Sequence, residues 1–317
     1  MNRHSRTLTG AAALLLAAGL MTSGALAAIR GDINSDGALN SADAKSLRDA
    51  LIGRGRMTAE MDFDGDGRIN AKDLTAMKQS ILNPAEIPQP VSGPEPTLPA
   101  DMYANFRAGE AGDFFASDGW TNGKPFDCWW YGKNAQIKGD HLELVIAENY
   151  NGKGNPDWQP GYSGGEFRTN DFYHYGYYET SMQAIKNDGV VSSFFTYTGP
   201  SDNNPWDEID IEILGKDTTK VQLNYYKDGV GNHEYMYDLG FDASEGYHTY
   251  GFDWQPDHIT WYVDGKEAHT MWGSMPATPG KIMMNAWPGR TVDEWLKAYN
   301  GNKPLTARYQ WVTYKKS

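Results

Sequence analysis

The sequence predicts an all-β domain, a jelly-roll β-sandwich at residues 100–317, preceded by a small α-helical module at 29–83. Aromatic residues divide the chain. All 11 tryptophans and all 19 tyrosines lie at or beyond Tyr103, whereas residues 1–102 hold one Phe, Phe63. From residue 100 onward, short runs rich in β-branched and aromatic residues alternate with Gly, Asn, Asp and Pro turns. Many short strands with few helical stretches are typical of sandwiches and jelly rolls.

Residues 1–27 have the pattern of a secretory signal peptide. Arg3, His4 and Arg6 precede an apolar run, and Ala25-Leu26-Ala27 supplies the small residues of a cleavage site. The apolar stretch 11–21 is too short to span a bilayer, and no later segment is long and apolar enough to do so. We therefore expect a secreted, extracellular protein without a membrane partner.

The charge balance limits the partners of the mature chain. Formal net charge is −13, with 41 acidic and 28 basic residues. Nucleic acids and anionic polysaccharides need a basic surface, so a neutral polymer or a cation such as calcium fits better. The single cysteine, Cys128, excludes an intrachain disulfide.

The small module contains a duplicated loop at an offset of 30 residues, "DINSDGALNSAD" and "DFDGDGRINAKD". Each copy places oxygen donors at loop positions 1, 3, 5, 7, 9 and 12 and glycine at 6, which is the calcium chemistry of EF-hand loops. The predicted ligands are Asp32, Asn34, Asp36, Ala38, Asn40, Asp43, Asp62, Asp64, Asp66, Arg68, Asn70 and Asp73, with Ala38 and Arg68 acting through their carbonyls. An apolar pattern at helical spacing follows each loop. Either loop alone is more simply a turn, but two complete copies favour two bound Ca²⁺ ions.

A duplicated loop–helix unit on a secreted chain resembles a type I dockerin. The resemblance implies binding to a cohesin of a scaffoldin, and so a cellulosome-bound protein. Residues 84–99 carry six prolines and predict a semi-rigid linker between this module and the sandwich.

Within the sandwich, "WDEIDIEILG" at 206–215 places Glu208, Asp210 and Glu212 on alternate residues. Side chains alternate across a strand, so the three acids share one face and the isoleucines between them form the core face. Glycoside hydrolysis needs one carboxylate and one protonated carboxyl, and neighbouring negative charge raises the pKa of the acid. A solvated acidic face or a calcium site is the alternative, but the surrounding sequence is aromatic and poor in lysine.

This stretch resembles the E-[IL]-D-x-E motif of glycoside hydrolase family 16, and "VVSSFFTYTGP" and "FDWQPDHITWYVDG" resemble its lichenase subgroup. The resemblance covers about residues 101–315. It implies a retaining endo-β-1,3-1,4-glucanase with Glu208 as nucleophile, Glu212 as acid/base and Asp210 as their electrostatic partner. Such an enzyme needs no cofactor for catalysis. Implied sugar contacts are Glu166, Arg168, Phe195, Tyr197, Trp206, Asn224, Tyr226, Glu234, Asn285, Trp287 and Trp295.

The expected substrate is mixed-linkage β-glucan, hydrolysed by a monomeric catalytic domain. The alternatives are a laminarinase, another family 16 β-glucanase, a xyloglucan-type transglycosylase, or a lectin-like module that binds carbohydrate without catalysis. Lichenases also bind a structural calcium partly through an aspartate near the C-terminus, where this chain has Gln310. The resemblance therefore does not imply a tight calcium site there.

Overall fold

The computed structural model describes residues 31–34, 39–58, 61–63, 68–82, 93–150 and 159–317. The chain divides into two compact units, Met1–Pro88 and Gln89–Ser317. The predicted signal peptide and the predicted ligands Asp36, Ala38, Asp64 and Asp66 lie outside the described residues. No helix among the described residues is long and apolar enough to cross a membrane.

Two helices form the described part of the first unit: α1 (Ser41–Leu51) and α2 (Ala71–Leu82). The side chain of Asn40 caps the N-terminus of α1, and the carboxylate of Asp43 accepts the backbone N–H of Asn40. The end of the loop and the start of the helix therefore stabilise each other. Leu47 of α1, Met77 of α2 and Phe63 between them belong to one small apolar core. The predicted α-helical module is confirmed.

The described residues of the second unit form sixteen strands and one short α-helix, α3 (Asp293–Leu296), which confirms the all-β class. Three 3-10 helices also occur, at Phe106–Ala108, Gly132–Asn134 and Pro200–Asp202. The strands are β1 (Met102–Asn105), β2 (Phe114–Ala116), β3 (Cys128–Trp130), β4 (Ala135–Lys138), β5 (His141–Glu148), β6 (Tyr162–Thr169), β7 (Gly176–Gln183), β8 (Val190–Thr198), β9 (Asp207–Leu214), β10 (Lys220–Tyr226), β11 (Tyr235–Asp238), β12 (His248–Trp254), β13 (His258–Val263), β14 (Lys266–Trp272), β15 (Lys281–Pro288) and β16 (Leu305–Lys316).

The strands pair in the order β11-β10-β9-β8-β15-β6-β5-β16-β7-β12-β13-β14. The strands from β11 to β6 form one layer, those from β5 to β14 form the other, and the two layers connect at β5 and β6. Every pairing along this path is antiparallel. Strands β8 to β11 and β12 to β14 follow one another in sequence, whereas β15 and β16 pair with strands that are distant in sequence.

The core lies between the two layers. Ile209, Ile211 and Ile213 of β9 are buried in it, as the alternation of the sequence predicts. Full burial of one such side chain contributes roughly 1.5–3 kcal/mol. The opposite face of β9 is left to the three acids.

The second unit includes part of the predicted linker. Thr97 donates from its backbone N (2.7 Å) and its hydroxyl (2.5 Å) to the carboxylate of Glu179, which is buried on β7. The indole of Trp311 and the guanidinium of Arg107 both donate to the carbonyl of Pro94, over 2.8 and 2.7 Å. The sequence places residues 93–97 in a linker ending at 99, whereas here they are hydrogen-bonded to the sandwich.

Candidate active site

The acidic strand β9 lies between β8 and β10, and its three acids align with side chains on both neighbours. Glu208 is opposite Tyr197 and Tyr226, and Asp210 is opposite Phe195 and Asn224. In the third row, Glu212 is opposite Ser193 of β8 and Gln222 of β10. The acids therefore lie at the centre of the sheet, where aromatic and amide side chains surround them.

These rows continue across β15 and β6. Asn285 pairs with Ser193 on one side and Glu166 on the other, which extends the Glu212 row. Met283 pairs with Phe195 and with Arg168, which extends the Asp210 row. Sheet register thus brings seven of the eleven predicted sugar contacts onto one face with the three acids.

Burial raises the pKa of all three carboxyls. It raises the pKa of Glu208 to about 7, against hydrogen bonds from Trp206 and Asp210 that lower it. It raises the pKa of Glu212 to about 8, and the negative charge of Glu208 adds to this. The pKa of Asp210 lies well above its ordinary value because the group is buried between both glutamates. The three groups titrate as one coupled set, in which Glu212 keeps its proton to higher pH than Glu208.

Each glutamate is held by a separate donor. The indole nitrogen of Trp206 donates to Glu208 Oε2 over 2.5 Å. Gln222 Nε2 donates to Glu212 Oε2 over 3.0 Å, and the indole of Trp295 in turn donates to Gln222 Oε1 over 2.9 Å. A donor favours the charged form of a carboxyl, so these contacts keep the two pKa values from rising further.

We call the sheet face that carries the three acids the cleft. Its polar groups are held in place by small hydroxyl residues. Ser117 donates to Glu166 over 2.6 Å, and Ser193 donates to Asn285 over 2.5 Å. In the described chain, Arg168 Nε and Asn224 Oδ1 are buried and have no hydrogen-bonding partner. Buried polar atoms without partners are costly and rare, so a ligand hydroxyl that reached either atom would be bound favourably.

The predicted aromatic contacts differ in accessibility. Trp206 is 39% exposed and stacks on Tyr226 with ring centroids 4.7 Å apart, which leaves a ring face available to a sugar. Tyr197 is partly exposed. Trp287 is only 3% exposed and packs against Phe126 at 4.3 Å, so little of its ring can touch a ligand. Phe195 is buried as well.

Glu234 lies at the edge of this site, exposed in the loop before β11. Its charge contributes to the raised pKa of both Asp210 and Glu212. Three polar residues of the site were not predicted from the sequence: Gln222, Ser193 and Lys281, which pairs with Asp202 over 3.1 Å. The first two lie cross-strand from Glu212, and pairing β8 and β10 with β9 would have identified them.

The predicted calcium loops of the first unit end in equivalent geometry. Asp43 Oδ2 accepts the Asn40 N–H over 2.9 Å, and Asp73 Oδ2 accepts the Asn70 N–H over 2.7 Å. Both aspartates are buried at the start of their helices. Hard oxygen donors in two equivalent loop ends fit Ca²⁺. Within the described ranges alone, no group of three or more acidic, His or Cys side chains has metal-binding geometry.

Comparison with known proteins agrees with both units. The sequence profile described as "Glycosyl hydrolases family 16" matches residues 122–312. The profile described as "Dockerin type I domain" matches residues 30–102, which includes the proline-rich segment.

Individual relatives cover mainly the second unit. A "Xylanase/beta-glucanase" of Ruminococcus flavefaciens is 72% identical over 69% of this chain and 27% of its own length. A "Beta-glucanase" of Bacillus subtilis strain 168 is 52% identical over 68% of this chain and 86% of its own. The crystal structure of a β-1,3-1,4-glucanase (lichenase) from a mouse hindgut metagenome is 50% identical, with a TM-score of 0.63 over 68% of this chain and 98% of its own.

The chain thus spans about a quarter of the Ruminococcus relative and most of the Bacillus one. The profile match covers more than half of the chain and includes β9 with its three acids. The chain belongs to glycosyl hydrolase family 16 and carries a type I dockerin domain ahead of its catalytic unit.

Proposed function

We propose that this chain is a secreted, cellulosome-bound endo-β-1,3-1,4-glucanase that hydrolyses mixed-linkage β-glucan such as lichenan or barley β-glucan. The observation that carries the proposal is the pair of differently held glutamates on β9. Glu212 has the higher pKa of the two and accepts a hydrogen bond from the amide of Gln222, while Glu208 accepts the indole N–H of Trp206. One protonated and one anionic carboxyl on the same face is what glycoside hydrolysis requires.

The chemistry follows a retaining double displacement. Glu212 gives its proton to the glycosidic oxygen as the bond from that oxygen to the anomeric carbon breaks. A carboxylate oxygen of Glu208 forms a bond to the same carbon from the opposite face, and the leaving chain departs with a free hydroxyl. Glu212, now anionic, takes a proton from water, whose oxygen displaces Glu208 and restores both residues.

Asp210 acts between these steps without bonding to the sugar. The carboxyl is buried, and charge on either glutamate raises its pKa. It also contributes a hydrogen bond that lowers the pKa of Glu208. We therefore assign Asp210 the role of a proton-bearing donor that stabilises the anion of the nucleophile.

A neutral glucan fits the remaining groups of the cleft. The exposed face of Trp206 can stack on a pyranose ring, and Arg168 and Asn224 can bind its hydroxyls. The mixed-linkage substrate is supported by the lichenase relative and by "EIDIE". This motif has no extra residue between Asp210 and Glu212, where the family resemblance implies a bulge in laminarinases. We expect this catalytic domain to act as a monomer.

The first unit would hold two calcium ions and dock to a cohesin. Asp32, Asn34, Asn40 and Asp43 would supply side-chain oxygens from the first loop, and Asp62, Asn70 and Asp73 from the second, with Arg68 donating its carbonyl. Calcium removes the repulsion between carboxylates of one loop, so metal binding and folding of this small unit are coupled.

The test offers barley β-glucan, laminarin and carboxymethyl-cellulose side by side to the purified chain and to Glu208→Gln. We expect reducing sugar from barley β-glucan alone, no release by the variant, and NMR of the first product in the β-anomeric form. Faster hydrolysis of laminarin would reassign the enzyme as a laminarinase. Binding of all three glucans without any hydrolysis would indicate a lectin-like module.

A further inference from the structure

We propose that Asp207 is a positioning residue for Glu208, the nucleophile of the proposed glucanase, and that it acts through Trp206. Asp207 is the first residue of β9 and immediately precedes Glu208. Its side chain does not share the cleft face with Glu208, because successive residues of a strand point to opposite faces. Any effect of Asp207 on the nucleophile must therefore pass through neighbouring residues.

The carboxylate of Asp207 connects two loops to the end of β9. One oxygen accepts the Asp228 N–H over 2.9 Å. The other accepts the N–H groups of Ala277 and Thr278, both over 2.9 Å. Asp207 is 5% exposed, so if its carboxylate is removed, water cannot take its place as acceptor for these three N–H groups.

The first of these loops is a tight turn between Lys227 and Val230. Asp228 and Gly229 both have positive φ, 50° and 77°, and Lys227 and Val230 bond to each other through their backbones. Two central residues with positive φ define a type I′ turn, for which Asp-Gly is a favoured sequence. The bond from Asp228 N to the Asp207 carboxylate ties this turn to the start of β9.

This turn lies directly against Trp206. Gly229 N donates to the carbonyl of Trp206 over 2.7 Å, and a Cβ added at Gly229 would lie 3.6 Å from the Trp206 ring. Trp206 is 39% exposed, so core packing alone does not fix its ring. The turn and the stacked ring of Tyr226 are what orient the indole toward Glu208.

The consequence for the nucleophile is electrostatic. The indole N–H of Trp206 lies 2.5 Å from Glu208 Oε2 and lowers the pKa of that carboxyl. If Asp207 no longer anchors the turn, the indole moves, the bond is lost and Glu208 holds its proton to higher pH. Because the nucleophile must be anionic, the acidic limb of the rate profile should move upward.

The test measures kcat/KM on barley β-glucan against pH for Asp207→Asn, Trp206→Phe and the double variant. Both single variants should move the acidic limb up by about one pH unit, which lowers kcat/KM about tenfold well below the limb. The double variant should shift no further than Trp206→Phe, since both changes break the same bond. Asp207→Ser, a smaller acceptor, replaces Asp207→Asn if that protein does not fold.

The matched control is Asp242→Asn. Asp242 also accepts several bonds, from Ser244 N (3.0 Å), Thr218 Oγ1 (2.5 Å) and Lys186 Nζ (2.5 Å), but it contacts no residue of the cleft rows. It should lower the melting temperature and leave the acidic limb in place. An unmoved limb in Trp206→Phe, additive shifts in the double variant, or Asp207 variants that behave like the control would each overturn the proposal. A wild-type chain inactive on every β-glucan would instead refute the proposed function.

Discussion

Gln222 of β10 lies directly opposite Glu212 of β9, and its amide Nε2 donates to the Glu212 carboxylate over 3.0 Å. The indole N–H of Trp295 donates to the amide oxygen of Gln222. The Gln222 donor lowers the pKa of Glu212, the proposed acid/base, whereas burial and the charge of Glu208 raise it. The pH at which the proposed acid loses its proton is therefore set partly by a residue that bears no charge.

Replacing Gln222 with Leu should raise the pKa of Glu212 above its present value of about 8. Glu212 must be protonated to act as an acid, so the basic limb of the kcat/KM profile should move to higher pH. Gln183→Leu is the matched control, because Gln183 donates over 2.8 Å to Ser244 O, away from the cleft. A basic limb that moves equally in both variants, or in neither, contradicts this role.

Glu208→Ala should lower turnover by roughly 10³-fold or more while glucan binding survives, because only the bond to the anomeric carbon is lost. Azide fits the space left by the carboxylate and should restore activity with an α-glycosyl azide as product. The product is identified by NMR, and affinity is measured by calorimetry on the same variant. Turnover by Glu208→Ala close to that of the wild type, or a glycosyl azide of β configuration, would assign the nucleophile to another residue.

Local pattern was enough to predict the acidic face of β9 and the burial of its isoleucines, because a period of two fixes which side chains share a face. The same holds for Trp254, Trp261 and Trp311, which lie within strand patterns of the sequence and are buried in the sandwich. Gln222 and Ser193 were missed because their role depends on which strands pair and in which register. Such pairing joins residues far apart in sequence and leaves no local pattern.

The proline-rich segment illustrates a second limit. Its composition predicts a linker over 84–99, and composition describes only the preference of an isolated chain. Residues 94–97 are hydrogen-bonded to side chains outside the segment. Arg107 and Trp311 donate to this segment, and Glu179 on β7 accepts from it. A partner more than 80 residues away cannot be inferred from proline content.

Chelation should unfold the first unit and leave the catalytic unit active. Each predicted calcium loop contains carboxylates that repel one another without metal, and the small apolar core around Leu47 and Met77 offsets little of this. In the sandwich, Gln310 stands where lichenases have a calcium-binding aspartate. Its buried side-chain oxygen accepts hydrogen bonds from the Arg107 guanidinium over 2.9 Å and from the Ser181 hydroxyl over 3.1 Å. That oxygen is therefore already bonded to protein groups.

The measurement compares cohesin capture and glucanase activity before and after EDTA. The variant Asp43→Ala, which lacks one predicted calcium ligand, should lose cohesin capture as the EDTA-treated wild type does. Calcium added back should restore capture by the wild type. Glucanase activity that falls in parallel with capture would contradict this separation and indicate a calcium site in the sandwich.

Thr97→Val tests whether the end of the proline-rich segment stabilises the catalytic unit. The change removes the hydroxyl that donates to Glu179 over 2.5 Å and leaves a buried carboxylate with one donor fewer. Such a loss costs about 1–3 kcal/mol. Burial raises the pKa of Glu179, whereas both Thr97 donors lower it, so the variant raises this pKa further. The protonated form is then favoured in the folded state, and stability is lost as pH rises through the folded pKa.

The destabilisation by Thr97→Val should therefore grow between pH 5 and pH 8, as measured by urea unfolding of the catalytic unit. Thr260→Val is the matched control, since Thr260 shares a bond of 2.8 Å with the neutral hydroxyl of Thr270. Its cost should not depend on pH, because no charged group gains or loses a partner. If both variants lose the same free energy at both pH values, Glu179 does not depend on the segment, and residues 93–97 are a linker that only rests on the sandwich.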